Sequence, residues 1–314
     1  MILLALLLAA TPAATPAPTP APTPAPAPVE IAVTVDDLPR MGPEYPGLDR
    51  LAVARQILDA FARHKLPPVY GFVNGGKVDQ EPVRKDVIEL WRARGNPIGN
   101  HGFGHLGLND TPVDAYVADI LKNEPTLRRF GGDPASWHFY RFPFLQEGDT
   151  LEKRDAVRAW LAAHHYATAQ VTVDFDDWAW NAPYTRCVAL HDDATAAALR
   201  KGYVDSAVAL LQGYREMARR LTGGREIRHV LLLHVGALDA DHMDALLTAY
   251  EQAGARWIEL PAALEDPIYR IDPRVAWKAG ATLLDEIAHA RKLGFSAPWN
   301  VIDEPRLETL CRSK

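Results

Sequence analysis

From Glu30 onward the chain alternates short apolar runs with amphipathic stretches of helical period. This alternation restricts it to an α/β fold around a largely parallel sheet. Strands are predicted over residues 30–36, 69–73, 139–142, 170–174, 230–235 and 257–260, with a short one at Ile98. Helices are predicted over 48–64, with Leu51, Ala54, Leu58 and Phe61 on one face, and over 80–95, with Val83, Val87 and Leu90 inward and Gly95 as the stop. A helix opened by Asp110-Thr111-Pro112, proline in its first turn, runs to about Phe130. Others fall at 150–164, at 193–221 with breaks near Gly202 and Gly213, and at 241–254. In parallel α/β folds, binding and reacting side chains gather at the C-terminal ends of strands. Asp36, Asp37, His101, Arg141, Asp174, Asp177 and His234 all lie at or just after such ends, which concentrates polar chemistry at one rim.

With 314 residues, 48% of them apolar, the chain can bury a full-sized core. A net charge of −6 offers no basic field for nucleic acid, and two cysteines are too few for a cysteine zinc cluster. Residues 1–10 form an apolar run too short to span a bilayer. It reads as an export signal even though it lacks Lys or Arg ahead of the apolar core. Residues 11–28 repeat Ala, Pro and Thr, the composition of a stiff polyproline spacer. The expected organisation is a signal-like segment and spacer over 1–28, a catalytic domain over 29–270, and a C-terminal tail over 271–314 with a helix at 275–292. The mature chain is expected to be exported, periplasmic or extracellular, with no membrane span. Export would permit a Cys187–Cys311 disulfide; two unpaired buried thiols are the other reading.

The chemistry-bearing motifs come in order. Two adjacent carboxylates, Asp36 and Asp37, end an apolar strand, where burial is costly unless a cation sits between them. In Gly99-Asn100-His101-Gly102-Phe103-Gly104-His105, two imidazoles four apart sit in a glycine-rich loop. One aspartate with two histidines makes a three-ligand site with room for water and substrate, a catalytic rather than structural metal pattern. Arg141-Phe142-Pro143-Phe144 brings a guanidinium to the rim, suited to pair with an aspartate and keep it ionised. Asp174-Phe175-Asp176-Asp177-Trp178 clusters acids beside an aromatic, and His234 ends the most apolar strand, where a carboxylate neighbour would keep it protonated. Trp137, Trp178 and Trp180 offer faces for sugar rings near the rim, while Trp257 reads as core. His191-Asp192-Asp193 precedes an alanine-rich helix and reads as its cap.

Taken together, these motifs resemble those of the polysaccharide deacetylases of carbohydrate esterase family 4, the nodulation-type chitooligosaccharide deacetylase domain, over roughly residues 29–270. The resemblance implies a distorted (β/α) barrel forming a single catalytic domain. It also implies a hydrolase that removes acetyl groups from N-acetylated sugars of an oligo- or polysaccharide. Asp36 would be the general base, and Asp37, His101 and His105 the ligands of one divalent metal. Zinc suits that set best, and cobalt or nickel would fit it. Arg141 would orient the base, and the Phe144 amide, set by Pro143, would meet the oxyanion. Asp177 would tune His234 as general acid, with Trp178 and Leu232 walling the acetyl pocket. Asp174 has no counterpart and reads as structural. Two departures mark a divergent branch: Leu38-Pro39 stands where the family has glycine after its aspartate pair, and Gly102 where it has a bracing Ser or Thr. The rival readings are an O-acetyl esterase of the xylan type on the same fold and a non-catalytic carbohydrate-binding module of the cell envelope. The oligomeric state is left open.

Overall fold

Strand β1 (Val29–Leu38) lies between other strands on both sides and is buried along its whole length except at Glu30. A strand covered on both faces reads as a continuous apolar run, which is why it was visible in the sequence. Its alternation still sorts the side chains. Ile31, Val33 and Val35 join the main core, while Ala32 joins a second cluster with Phe72, Ala169 and Val230. Period two then carries Thr34 and Asp36 to the same side as Ala32.

The computed structural model describes residues 28–80, 82–294 and 303–312; the signal-like segment, the spacer up to residue 27 and the Val83 side chain lie outside them. On one side of β1 come β2 (Tyr70–Val73), β3 (Ile98–Asn100), β4 (Phe139–Tyr140) and β5 (Ala167–Thr168). On the other comes β6 (His229–His234), and β7 (Ala255–Trp257) pairs the first residues of β1. Every pairing is parallel. The connections are α1 (Arg50–Arg63), α2 (Gly75–Val78), α3 (Pro82–Ala93), α4 (Val113–Gly131), α5 (Leu151–Ala163), α6 (Asp177–Ala189), α7 (Asp193–Thr222), α8 (Ala237–Gln252), α9 (Leu260–Leu264), α10 (Leu283–Ala290) and α11 (Glu304–Thr309). After β5, at one edge, the chain crosses to the opposite edge, where Val173 bridges Leu231 of β6. One short segment thus joins both edges and curls the sheet into a distorted barrel, the α/β architecture expected. No helix among the described residues is long and apolar enough to cross a membrane.

Several elements differ from expectation. Residues 170–174 are not a regular strand, because the Thr172 and Val173 amides both donate to the Val230 carbonyl instead of laddering along β6. The strand at 139–142 stops at Tyr140, ahead of a 3-10 turn opened by Pro143. Asp110 and Thr111 do not cap α4. Pro112 is the N-cap, outside the first turn, and the Thr111 hydroxyl donates to the Gly107 carbonyl. Helix α7 runs unbroken through Gly202 and Gly213: two glycines cost about 2 kcal/mol, outweighed by its buried Leu199, Tyr203, Leu210, Leu211 and Tyr214. Helix α6 was missed because its buried face includes Asp177, Asn181 and Thr185, so it carries no apolar stripe. The last strand ends at Trp257, and Leu260 already begins α9. The predicted helix at 275–292 begins only at Leu283, where Thr282 and Asp285 form a capping box. Cys187 on α6 and Cys311 beyond α11 form a disulfide, which decides between the two readings of that pair.

Candidate active site

The two aspartates share one site because β1 breaks its own alternation. Adjacent strand residues normally point to opposite faces. Between Val35 and Leu38 the register slips, and Asp37 adopts a left-handed backbone with φ of 67°. Asp36 pairs with His234 across the parallel β1–β6 ladder, so both reach the same rim. Arg141, buried, donates from Nη1 to both Asp36 oxygens at 3.1 Å. Its Nη2 donates to Thr34 Oγ1 (3.0 Å) and its Nε to the Ala169 carbonyl (2.6 Å), so the guanidinium is fixed on three sides. Burial pushes the Asp36 carboxyl up, and Arg141 pulls against it.

Asp37, His101 and His105 bring one ligand atom each within 4.8 Å of one another. The His101 Nδ1–H donates to the Arg141 carbonyl at 2.9 Å, which leaves the Nε2 lone pair facing the aspartates. His105 Nε2 lies 3.2 Å from Asp37 Oδ1. Burial depresses both imidazoles to about 3, so they are neutral lone-pair donors at neutral pH. For Asp37, burial opposes ionisation, but Lys77 first and the two imidazoles next outweigh it and hold the carboxyl well below the usual range. This ionised oxygen, two neutral nitrogens and a fixed tautomer fit a divalent cation. Lys77 of α2, with Nζ 2.8 Å from Asp37 Oδ1, was missed; its place just after the end of β2 was the available signal.

The histidine loop is braced without a hydroxyl after His101. The Gly102 amide donates to Asn100 Oδ1 (2.9 Å), Asn74 Nδ2 to the His101 carbonyl (2.6 Å), and the Gly104 amide to Asp119. Gly102, with φ of 72°, lies so close to Asp119 that a Cβ there would sit 2.7 Å from the carboxylate, which suits glycine.

His234 is held twice by Asp177: Nδ1 lies 2.7 Å from one carboxylate oxygen, and the backbone amide donates to the other at 2.6 Å. Burial alone would lower the imidazole, but Asp177 raises it to about 10. Behind Asp177 lies Asp239, fully buried and accepting from the Tyr203 hydroxyl at 2.6 Å, a residue the sequence reading missed inside a helix. A cavity of about 810 Å³ is lined by Asp36, Asp37, His101, His105, Phe144, Trp178, Leu232 and His234. Phe144 takes a left-handed backbone (φ 57°) after the buried Pro143 and sets its ring edge-on to His105 at 4.4 Å. Asp174, read as structural, also lines the cavity; burial and then Asp176 push it up to about 8. Of the tryptophans expected near the rim, Trp178 is there, 45% exposed. Trp137 and Trp180 are buried away from the cavity wall, Trp180 edge-on to Tyr203. Trp257 is half-buried rather than core.

Residues 24–160 match the family model described as polysaccharide deacetylase. That span, less than half of the chain, is similar to the polysaccharide deacetylases. The match takes in Asp36, Asp37, His101, His105 and Arg141 and ends before Asp177 and His234. Solved structures similar to this chain include the chitin deacetylase of the fungal pathogen Colletotrichum lindemuthianum, with TM-score 0.51 and 19% identity, covering 76% of this chain and 89% of that one. A mutant of a family 4 carbohydrate esterase pseudoenzyme with restored enzymatic activity gives 0.51 and 15%, covering 76% and 69%. A peptidoglycan deacetylase from Bacillus subtilis gives 0.49 and 19%, covering 85% and 96%. At these identities the likeness concerns the fold alone. No curated protein matches the sequence.

Proposed function

We propose that this chain is a metal-dependent deacetylase that hydrolyses the N-acetyl amide of an acetylated sugar, acting outside the cytoplasm. The observation that carries the reading is the pairing of opposite roles at one rim. Asp36 lies beside Arg141 and opposite His234, and His234 is itself held protonated by Asp177. A carboxylate fixed by a guanidinium and an imidazolium fixed by a carboxylate, set across one strand pair, are the base and acid that such a hydrolysis needs. Asp37, His101 and His105 would hold one divalent ion, zinc by ligand type. That ion supplies Lewis acidity to the acetyl carbonyl and lowers the pKa of water. Asp36, fixed by Arg141, takes the proton from the attacking water. The Phe144 N–H lies at the start of a 3-10 turn, so it has no acceptor within the turn and is free to meet charge developing on the acetyl oxygen. His234 then gives its proton to the leaving amine, which cannot depart as an anion. Trp178 and Leu232 would wall the acetyl group, with buried Pro143 setting the Phe144 turn.

The test is acetate release from N-acetylated chitooligosaccharides, with chelator and zinc add-back, on wild type and two variants. Asp36→Asn is expected to bind zinc normally and lose turnover by about 10²–10⁴-fold. Asp37→Ala is expected to lose both. An Asp36→Asn variant at wild-type rate would remove Asp36 from the base role, and release insensitive to chelator would overturn the metal assignment.

A further inference from the structure

The cavity is far larger and more apolar than an acetyl group requires, and the elements that enlarge it lie beyond the span matched by the family model. On one side α7 presents Leu210, Tyr214 and Met217, spaced to share a helix face. Trp277 and residues 279–282 also line the cavity, in a segment that crosses beside the Phe144 turn as a strap and leads into α10. The Trp277 amide donates to the Gly148 carbonyl (3.2 Å), and Asn109 Nδ2 donates to the carbonyls of Trp277 (3.2 Å) and Lys278 (3.0 Å). At its far end the Leu283 amide donates to the Val171 carbonyl (2.9 Å). The strap packs so closely on the turn that a Cβ on Gly280 would overlap the Phe144 carbonyl oxygen, which restricts that position to glycine. A polymer lying across a catalytic centre needs open flanks on both sides, and here one flank is a pinned wall. Apart from the histidines and Tyr214, the ionisable side chains lining the interior are also of one kind. Asp174, Asp176, Asp285 and Glu304 join the two catalytic-rim aspartates, and no Lys or Arg is among the lining residues described.

We infer that the site takes a small acetylated glycoside end-on, with an uncharged apolar substituent seated against Leu210, Tyr214, Met217 and Trp277, rather than the interior of a polysaccharide. The volume suits one ligand of drug-like size. Apolar walls reward an alkyl or aryl group, and the acidic interior disfavours a carboxylate or phosphate on the same molecule. The inference rests on the deacetylase reading, so its test separates the two.

Acetate release by the zinc-loaded full chain would be compared for the methyl, phenyl, 4-carboxyphenyl and 2-naphthyl glycosides of N-acetylglucosamine and for chitohexaose. Binding of the deacetylated 2-naphthyl glucosaminide, which has no acetyl group to lose, would be measured in parallel by calorimetry. The expected result is a kcat/KM for the naphthyl glycoside on the order of tenfold to a hundredfold above the methyl glycoside. The carboxyphenyl compound should fall below the phenyl one, and chitohexaose should gain nothing over the short glycosides. Trp277→Ala, at a half-buried position that can be changed without emptying the core, should erase much of the naphthyl preference, as should Met217→Asp if that variant folds. Rates that climb with sugar chain length and ignore the aryl group would overturn this inference and leave the deacetylase reading intact. Naphthyl glucosaminide binding without acetate release from any substrate would keep the pocket and sink the deacetylase. Neither binding nor release would sink both.

Discussion

His234 shows how one residue's surroundings turn a strand-end histidine into an acid. An ordinary imidazole, near 6.5, is mostly neutral at pH 8; with Asp177 against Nδ1 and the backbone amide this one is raised to about 10. As the proposed general acid it would stay charged across the working range, and the basic limb of a kcat/KM profile should lie near pH 10. Asp177→Asn removes the charge that raises it, so that limb should move down by several units toward the ordinary imidazole value. A limb that stays in place would detach Asp177 from His234's protonation. The same shift is a stability statement. Because the folded value is raised above the unfolded one, the contribution is fully present below pH 6.5 and fades as pH climbs through about 10. The positions of these two residues were legible in the sequence because His234 ends an apolar run and Asp177 stands in an acidic cluster beside a tryptophan. Asp239 and Lys77 were not, since one lies within α8 and the other in a four-residue helix with no pattern of its own.

At the scale of elements, legibility followed periodicity. Helices α1 and α5 and strands β1, β2 and β6 have the burial pattern their sequences suggest. Helix α6 and the strap do not, because what holds them is specific rather than periodic. Asn181 of α6 accepts from the Ala237 and Leu238 amides at the start of α8, capping it from outside. Arg186 of α6 donates to the carbonyls of Glu308 and Leu310, and Cys187 is bonded to Cys311, so α11 is fastened at two adjacent points. The disulfide closes a loop with a sequence separation of 124 residues, and constraining so long a loop in the unfolded chain should contribute about 2–4 kcal/mol. A Cys187→Ser/Cys311→Ser double variant should therefore show a lower denaturant midpoint than the oxidised wild type, equivalent to that loss of unfolding free energy, with reductant reproducing the loss in the wild type. Equal midpoints would mean that the Arg186 contacts alone fasten α11.

For the whole molecule, the three candidate ligands bring together regions that are apart in the sheet. Asp37 ends β1 and the two histidines follow β3, with β2 between them in the sheet. An unfolded chain has no such preformed set, so a bound ion stabilises the native state by mass action, by about 2.7 kcal/mol when free metal is a hundredfold above its dissociation constant. Zinc added to metal-stripped protein should raise the unfolding temperature in a concentration-dependent way. Asp36→Asn should keep the whole increment, because that residue is assigned to proton transfer. Asp37→Ala should lose it, and the loss must be read against that variant's own metal-free baseline, since removing a carboxylate that Lys77 faces changes stability by itself. The comparison needs no substrate, so it tests the metal site whatever molecule the enzyme acts on. If zinc raised both variants equally, the ion would be held elsewhere and the Asp-His-His reading would fall while the fold stood.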